Sequence, residues 1–429
     1  MSDSPKRPRR DQARRIVVFP LVAALVVFFL PAVAYAVGVR AQTIDNRPLA
    51  AFPTLDDGWN ALPKLQAWAI DHLPLRGEAV TADTQLSQAL FNEAPKFGAA
   101  GGGIGVAGVG SQSADGATAG IQYPQVIQGS DGWLYFGSDA ASPCQPEESV
   151  STIVDGFQTL SDAATASGRK LVIVVAPDKS TIHPEHLPDQ FAGKTCMLER
   201  KAEFSQAMTG LKDTTVIDMV TPLKSYEQAN PGSVWRKDDT HWTPQGSMVF
   251  TQQLLQTLDP SLLQSAPFTI GAPEQEPGDL SHLVGEQGYE AIPPVTVDRP
   301  GVALSLNGKP IAPADVLPVG YSPINVRATS TDAPLYQPRT VLLGDSFFDA
   351  SRSLVAPFFA DFWYVHNMSG DIPGATATLG GVLKDTQTVV YEVVERSAAS
   401  GDISYEHPDN MNALAKAMLD QPYAGPAVN

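Results

Sequence analysis

The C-terminal two-thirds of the chain alternates between two apolar periods. Leu171–Ala176 is a continuous, β-branched apolar run, the pattern of a strand covered on both faces. Arg339–Leu343 and Thr388–Val394 read the same way, and Thr214–Met219 and Phe362–His366 are shorter strands. Gly132–Phe136 predicts an aromatic strand. Between these lie runs of helical spacing. Val150–Ser167 is amphipathic and is followed by Gly168, a stop signal. Pro244–Leu258 opens with proline in its first turn, where the missing N–H does no harm. Further helices are predicted near Leu198–Leu211, Ala350–Ala360 and Thr376–Leu383. Strands alternating with helices predict an α/β fold, a parallel sheet with helices on both faces. Residues 268–338 interrupt the pattern with Pro, Val and Gly and predict an irregular, partly β insertion.

Upstream the pattern changes twice. Residues 39–97 form a helical preamble, with Trp59, Leu62, Leu65, Trp68 and Ala69 at helical spacing and Val80, Leu86 and Leu90 on a second helix. Residues 98–120 are dominated by Gly, Ala and Ser without an apolar face and predict a flexible loop. They lack the Gly-Lys-Ser/Thr ending of a phosphate-binding loop.

The first 38 residues bear on the compartment. Residues 16–38 contain no charge and are long enough to span a hydrocarbon core of ~30 Å as a transmembrane helix. Before them lies a basic tail, residues 1–15, with six basic side chains against two acidic ones. That flank stays in the cytoplasm by the positive-inside rule, which places the bulk outside a single-pass anchor. A cleaved signal peptide is the competing reading, since Ala32–Ala36 is rich in small residues. The formal charge of the whole is −17, and the part beyond the basic tail is more acidic still. Such a surface argues against nucleic acid and anionic lipid as partners, and leaves a neutral sugar or glycolipid open. The two cysteines, Cys144 and Cys196, lie beyond the anchor, where an oxidising exterior permits a disulfide. No Cys-x-x-Cys pair is present to suggest structural zinc.

Two stretches could carry chemistry. Gly344-Asp345-Ser346 follows the strand Arg339–Leu343, at the carboxyl end where sites of open parallel sheets gather. Asp239-Thr240-His241-Trp242 places a carboxylate two residues from an imidazole. In an extended segment both side chains project to one side, while Asp238 points away. Together Ser346, His241 and Asp239 supply a nucleophile, a base and the group that fixes its tautomer, in the order Asp…His…Ser. The bland alternative is that Asp345 and Ser346 cap a helix and His241 is a satisfied core histidine. A metal reading would use Asp238, Asp239 and His241, but no second histidine stands at ligand spacing. Lys179 follows the strand Leu171–Ala176 and could line a cleft. His183 and His186 lie in a Pro-containing loop, His72 in the preamble, and His366 ends a strand.

Several short stretches, taken in order, resemble the alginate O-acetyltransferase family of the AlgJ and AlgX type, within the SGNH hydrolase-like fold. They are Asn46-Arg47 with Phe52-Pro53, Asp71-His72-Leu73-Pro74-Leu75-Arg76, Gly129-Ser130-Asp131-Gly132-Trp133-Leu134-Tyr135, and Pro177-Asp178-Lys179 through Leu187-Pro188. Asp239-Thr240-His241-Trp242-Thr243, Gly344-Asp345-Ser346-Phe347 and Glu395-Arg396 complete the set. The Gly-rich stretch lies outside it, and the glycine and asparagine oxyanion donors of SGNH enzymes have no matching positions. The resemblance implies a circularly permuted SGNH motif order and transfer of acetyl to a sugar hydroxyl of an exported polymer. Ser346 would be the acyl-accepting nucleophile, His241 the base and Asp239 its partner. It also implies a separate membrane O-acyltransferase that supplies acetyl groups, and it does not imply alginate itself.

The expectation is therefore an extracytoplasmic, membrane-anchored O-acetyltransferase whose SGNH-like domain spans 121–429, with no metal or dissociable cofactor. Its acceptor would be a cell-envelope polysaccharide or glycolipid. An acetylesterase with the same triad is one rival, and a non-catalytic glycan-binding or scaffold protein is the other. A wide Ser346–His241 separation would favour the scaffold.

Overall fold

The computed structural model describes residues 52–54, 64, 65, 68, 123–265, 268–284, 288–312, 323–367, 382–401 and 407–425. The basic tail, the apolar run 16–38, the Gly-rich stretch 98–120, His72 and most of the preamble lie outside them. So does most of the predicted helix 376–383. Among the described residues no helix is long and apolar enough to cross a membrane. The chain divides into two units, Met1–Phe91 and Asn92–Asn429. In the first, Lys64, Leu65 and Trp68 are helical, and the Phe52 ring meets Trp68 edge-on at 5.0 Å.

The second unit opens with a hairpin, β1 (Val126–Gln128) and β2 (Leu134–Phe136), then α1 (Ser138–Cys144) and α2 (Val150–Ala166). An α/β run follows: β3 (Lys170–Ala176), α3 (Lys179–Ile182), α4 (Lys194–Met208), β4 (Thr215–Asp218), α5 (Val220–Ala229) and α6 (Pro244–Leu258). The insertion contributes β5 (Phe268–Ile270), β6 (Glu274–Pro277), α7 (Asp279–Leu283), β7 (Tyr289–Ile292) and β8 (Val295–Val297). It continues with β9 (Val302–Leu306), β10 (Lys309–Ile311) and β11 (Ile324–Ser330). The chain then returns through β12 (Thr340–Gly344), α8 (Ser346–Asp349), α9 (Arg352–Val355) and β13 (Asp361–His366). It closes with β14 (Thr388–Val394), α10 (Glu395–Ser400) and α11 (Pro408–Asp420).

The main sheet has the order β10-β9-β11-β13-β12-β14-β3-β4. Its five strands β13-β12-β14-β3-β4 are parallel, as the apolar runs predict. The other three run antiparallel, so the sheet is mixed and the expectation of a wholly parallel one is corrected. The extra strands come from the insertion, at Val302–Leu306, Lys309–Ile311 and Ile324–Ser330. β9 and β10 are short and only partly buried, and β11 mixes Asn, Arg, Thr and Ser with its apolar residues, which hid all three.

Alternate residues of the central strands separate two cores, as a period of two requires. Leu171, Ile173, Val341, Leu343, Val389 and Tyr391 face α2 and α11. Val172, Val174, Leu342 and Val390 face α6. Helix α2 forms because Val150, Ile153, Phe157 and Leu160 share one buried stripe, and Ser149 caps it by accepting the Thr152 N–H at 3.0 Å. It ends where Gly168 takes a φ of +74°. Burying each such side chain stabilises the fold by about 1.5–3 kcal/mol. The helix expected over 350–360 is instead α9 followed by a 3-10 turn at Ala356–Phe358, which contains Pro357. The helix expected at 198–211 starts earlier, after Gly193 in the left-handed region. Cys144 and Cys196 are bonded, with their Cα atoms 5.4 Å apart, and tie α1 to α4.

Candidate active site

Ser346 stands at the carboxyl end of the most enclosed part of the sheet. Every residue of β12 is buried, and β13 and β14 flank it on either side. Gly344 ends the strand at a close approach. A Cβ there would lie 2.8 Å from both Glu392 Oε2 and Leu342 Cδ2. Asp345 then caps α8, its Oδ1 accepting the Phe347 N–H at 2.8 Å. Its Oδ2 accepts the Val394 N–H at 2.8 Å, fastening the turn to the end of β14. The cap is therefore Asp345, which leaves the Ser346 side chain for other work.

That side chain meets His241, whose Nε2 lies 2.9 Å from Ser346 Oγ. The His241 Nδ1 lies 3.1 Å from Asp239 Oδ1, and the same oxygen accepts the His241 backbone N–H at 2.8 Å. Segment 236–240 is a turn, not the extended strand expected, closed by an antiparallel bridge between Trp235 and Trp242. Asp239 reaches His241 because an aspartate accepts readily from the N–H two residues on. Asp238 is turned away, as the sequence reading held, but for a different reason. It is buried against Gly278 and Gly288, its N–H donating to Glu290 Oε1 at 3.0 Å. Thr243, one residue past Trp242, caps α6 by accepting the Gly246 N–H, which fixes the other end of the turn.

The imidazole is held by aromatic and ionic packing. The fully buried Phe347 ring lies 5.1 Å from His241, 5.3 Å from Trp242 and 6.3 Å from Trp235. Behind Phe347 sits Arg396, whose Nη1 pairs with Asp178 Oδ1 at 2.5 Å. Lys201 holds the second oxygen of Asp178 at 2.6 Å and Glu395 at 3.3 Å. The sequence reading did not give these charges a place. They form a buried network in which every acid faces a base, the condition under which buried charge is tolerated.

Electrostatics tune the pair. Burial pulls the His241 pKa down, but the hydrogen bond and charge of Asp239 and the charge of Asp279 outweigh it and hold it above 6.5. Burial alone would raise Asp239; its bond to His241 and the charges of His241 and Arg236 bring it to about 2. Arg236 grips Asp239 Oδ2 directly.

Lys179, expected at the cleft, is buried and donates to the carbonyls of Arg236, Lys237 and Asp239 at 3.1, 3.0 and 2.6 Å. It braces the turn. His183 and His186 pack on Trp133 at 4.5 and 4.6 Å and do not join Ser346. His366 ends β13 with its Nε2 3.8 Å from Asp349 Oδ2. Asp279, which the sequence reading missed, places Oδ2 3.6 Å from His241 Nδ1. It lies 40 residues from Asp239 in the insertion, and no local pattern marks it. Asp239, His241 and Asp279 are the one trio among the described residues whose ligand atoms lie within 4.8 Å of one another. A metal ion there would have to displace Arg236 and the Nδ1 hydrogen bond. A separate cavity of about 730 Å³, lined by Met197, Phe204, Met208, Ile217 and Thr221, has neither Ser346 nor His241 in its wall.

The sheet thus delivers a serine from the end of a central strand onto a histidine, an arrangement that serine hydrolases of several folds share. Residues 126–303 match the model of the SGNH hydrolase-like domain of the acetyltransferase AlgX. The match covers Asp239 and His241 and ends before Ser346. Among curated relatives, the probable alginate O-acetylase AlgJ of Pseudomonas syringae pv. tomato is 32% identical over 153 residues, 35% of this chain and 37% of that protein. The probable alginate O-acetylase AlgJ of Pseudomonas fluorescens is 31% identical over 170 residues, 37% and 40% of the respective chains. The chain thus spans about two-fifths of the length of these relatives. Among solved structures, the O-acetyltransferase domain of Pseudomonas putida AlgJ aligns over 68% of this chain and 99% of its own, at 18% identity and a TM-score of 0.45. Bacillus cereus PatB1 aligns over 65% and 97%, at 14% identity and a TM-score of 0.44.

Proposed function

We propose that this chain is an extracytoplasmic O-acetyltransferase that moves an acetyl group through Ser346 to a hydroxyl of a cell-envelope polysaccharide or glycolipid. The observation that carries the reading is His241, which touches Ser346 Oγ with one ring nitrogen and Asp239 with the other. Ser346 Oγ attacks the acetyl carbonyl of the donor while its proton passes to His241 Nε2. The same proton leaves with the donor's departing group, and an acetyl-serine remains. A sugar hydroxyl then attacks, gives its proton to Nε2, and the acetyl group transfers as Ser346 recovers its hydrogen. Asp239 holds the Nδ1 proton throughout, so that Nε2 is the basic nitrogen. The AlgJ relatives support a polysaccharide acceptor, and a membrane O-acyltransferase would supply the acetyl group.

Residues 16–38 hold the domain to the outer side of the cell membrane in this reading, which rests on their length and basic flank. Recovery of mature protein beginning after Ala34 or Ala36 would replace the anchor with a cleaved leader.

The test is incubation with an activated acetyl ester and candidate glycans, followed by mass spectrometry of protein and glycan. Acetyl on Ser346 and then on glycan supports transfer. Acetyl lost only to water would make the protein an esterase. Parent protein without turnover above background, or turnover unchanged in Ser346→Ala and therefore not from this site, would return the site to a binding or scaffold role, an alternative that the 2.9 Å approach of His241 to Ser346 already disfavours.

A further inference from the structure

Asp239 is not the sole carboxylate on His241. Helix α7 of the insertion begins with Asp279, and its Oδ2 stands 3.6 Å from His241 Nδ1, against 3.1 Å for Asp239 Oδ1. The insertion is clamped there. Asp279 Oδ1 accepts the Thr240 N–H at 2.7 Å, and the Asp279 N–H donates to Asp239 Oδ2 at 3.3 Å. Next door, the Leu280 N–H donates to the Asp238 carbonyl at 2.9 Å, and Gly278 packs on Asp238 with no room for a side chain. So segment 278–280 is fixed on the turn 238–240 residue by residue.

The charges around the ring are unequal. Asp239 already faces Arg236 through Oδ2, so part of its charge is answered before His241 ionises. Arg396, on the far side of Phe347, disfavours an imidazolium. Lys179 lies beneath, with its ammonium bonded to the turn's carbonyls. Among the described residues Asp279 pairs directly with His241 and with no Lys or Arg, and the Lys179 charge acts on it from further away. We propose that Asp279 is a second positioning carboxylate for His241: Asp239 holds the Nδ1 proton, and the Asp279 charge 3.6 Å away helps balance the imidazolium that forms when Ser346 gives up its proton. This rests on the functional reading above. It gives the insertion a role in the chemistry: the insertion completes the base.

Asp279→Asn is the informative change, because the amide oxygen can still accept from Thr240 while the charge is gone. Ester hydrolysis should be followed as kcat and KM against pH, with thermal melts to show that each variant folds. The expected result is a kcat about 3- to 10-fold lower with KM unchanged, and an acid limb moved down by about half a pH unit. Asp279→Glu should restore the acid limb. Asp239→Asn combined with Asp279→Asn should lose more than the product of the single losses and approach Ser346→Ala, since each carboxylate covers for the other. An Asp279→Asn enzyme with the parent's kcat and acid limb would show that Asp279 merely caps Thr240 and would remove this proposal alone. So would an Asp279→Glu enzyme that fails to restore what Asn lost. Full turnover in Ser346→Ala would instead remove the functional reading, and this proposal with it.

Discussion

Asp239 Oδ1 takes two hydrogens from His241, the backbone N–H at 2.8 Å and the ring Nδ1 at 3.1 Å. One oxygen thus fixes both the position of the residue and the tautomer of its ring. Replacing Asp239 by Asn leaves an acceptor for the backbone but removes the charge that stabilises the imidazolium. The hydrolysis rate should fall by a factor on the order of 10⁴, moderated to the extent that Asp279 substitutes. Asp238→Asn should change the rate far less, because that side chain faces Gly278 and Gly288. Steady-state kinetics on an acetyl ester compares the two, and a larger loss in Asp238→Asn would reassign the carboxylate.

The pH profile should carry the signature of a raised imidazole. In the proposed role His241 would act as a base only when neutral, and its pKa is held above 6.5. Activity should therefore rise through an acid limb centred above that value and disappear in Ser346→Ala. Stability runs the other way. A raised pKa contributes stability that is full below 6.5 and is lost as pH rises through the folded value. Asp239, held at about 2, contributes stability that is present above about 3.8 and is lost as pH falls toward 2. Melting points measured across pH in the parent and in His241→Ala test the pair: the variant should lose the fall in stability above 6.5 and most of that toward pH 2, since His241 is the main cause of the low Asp239 pKa.

Lys179→Met should damage both stability and rate. Three carbonyls of the Arg236–Asp239 turn would lose a common donor in a buried place. The expected loss is about 2 kcal/mol or more, seen as a melting point about 4–8 °C lower. The rate should fall alongside because the turn carries Asp239. A melting point equal to the parent's would show that water replaces the ammonium and that Lys179 does not brace the turn.

Removing the Cys144–Cys196 bridge frees a loop of 52 residues. The chain-entropy relation puts the stabilisation at about 4 kcal/mol. Cys144→Ser with Cys196→Ser should melt lower than the parent made in an oxidising compartment, with kcat little changed. Equal melting points would mean that packing between α1 and α4 alone fixes these helices.

Strands β3, β12 and β14 were legible as continuous apolar runs and β4 and β13 as shorter ones, and Ser346, His241 and Asp239 because two short motifs hold all three. Asp279 and Lys179 were not legible in their roles. Asp279 acts across 40 positions through a turn set by backbone hydrogen bonds, and its neighbours Gly278 and Leu280 show no period. Lys179 sits where a strand end suggests an exposed cleft, and only the carbonyls converging on it explain its burial. Strands β9, β10 and β11 escaped because an antiparallel extension needs few apolar residues, and Pro310 sits on the edge strand, where proline is tolerated.

The place of β14 has a consequence in time. β3 is held between β4 and β14, and Asp178 just beyond β3 meets Glu395 just beyond β14 across 217 positions. A ribosome adding about 5–20 residues each second needs roughly 10–40 s to make that stretch. Throughout that interval β3 lacks its central neighbour, and β12, once made, lacks one of its two until β14 follows. A nascent chain halted near residue 380 would hold the serine, the histidine and both carboxylates, yet have no completed sheet on which to bring them together.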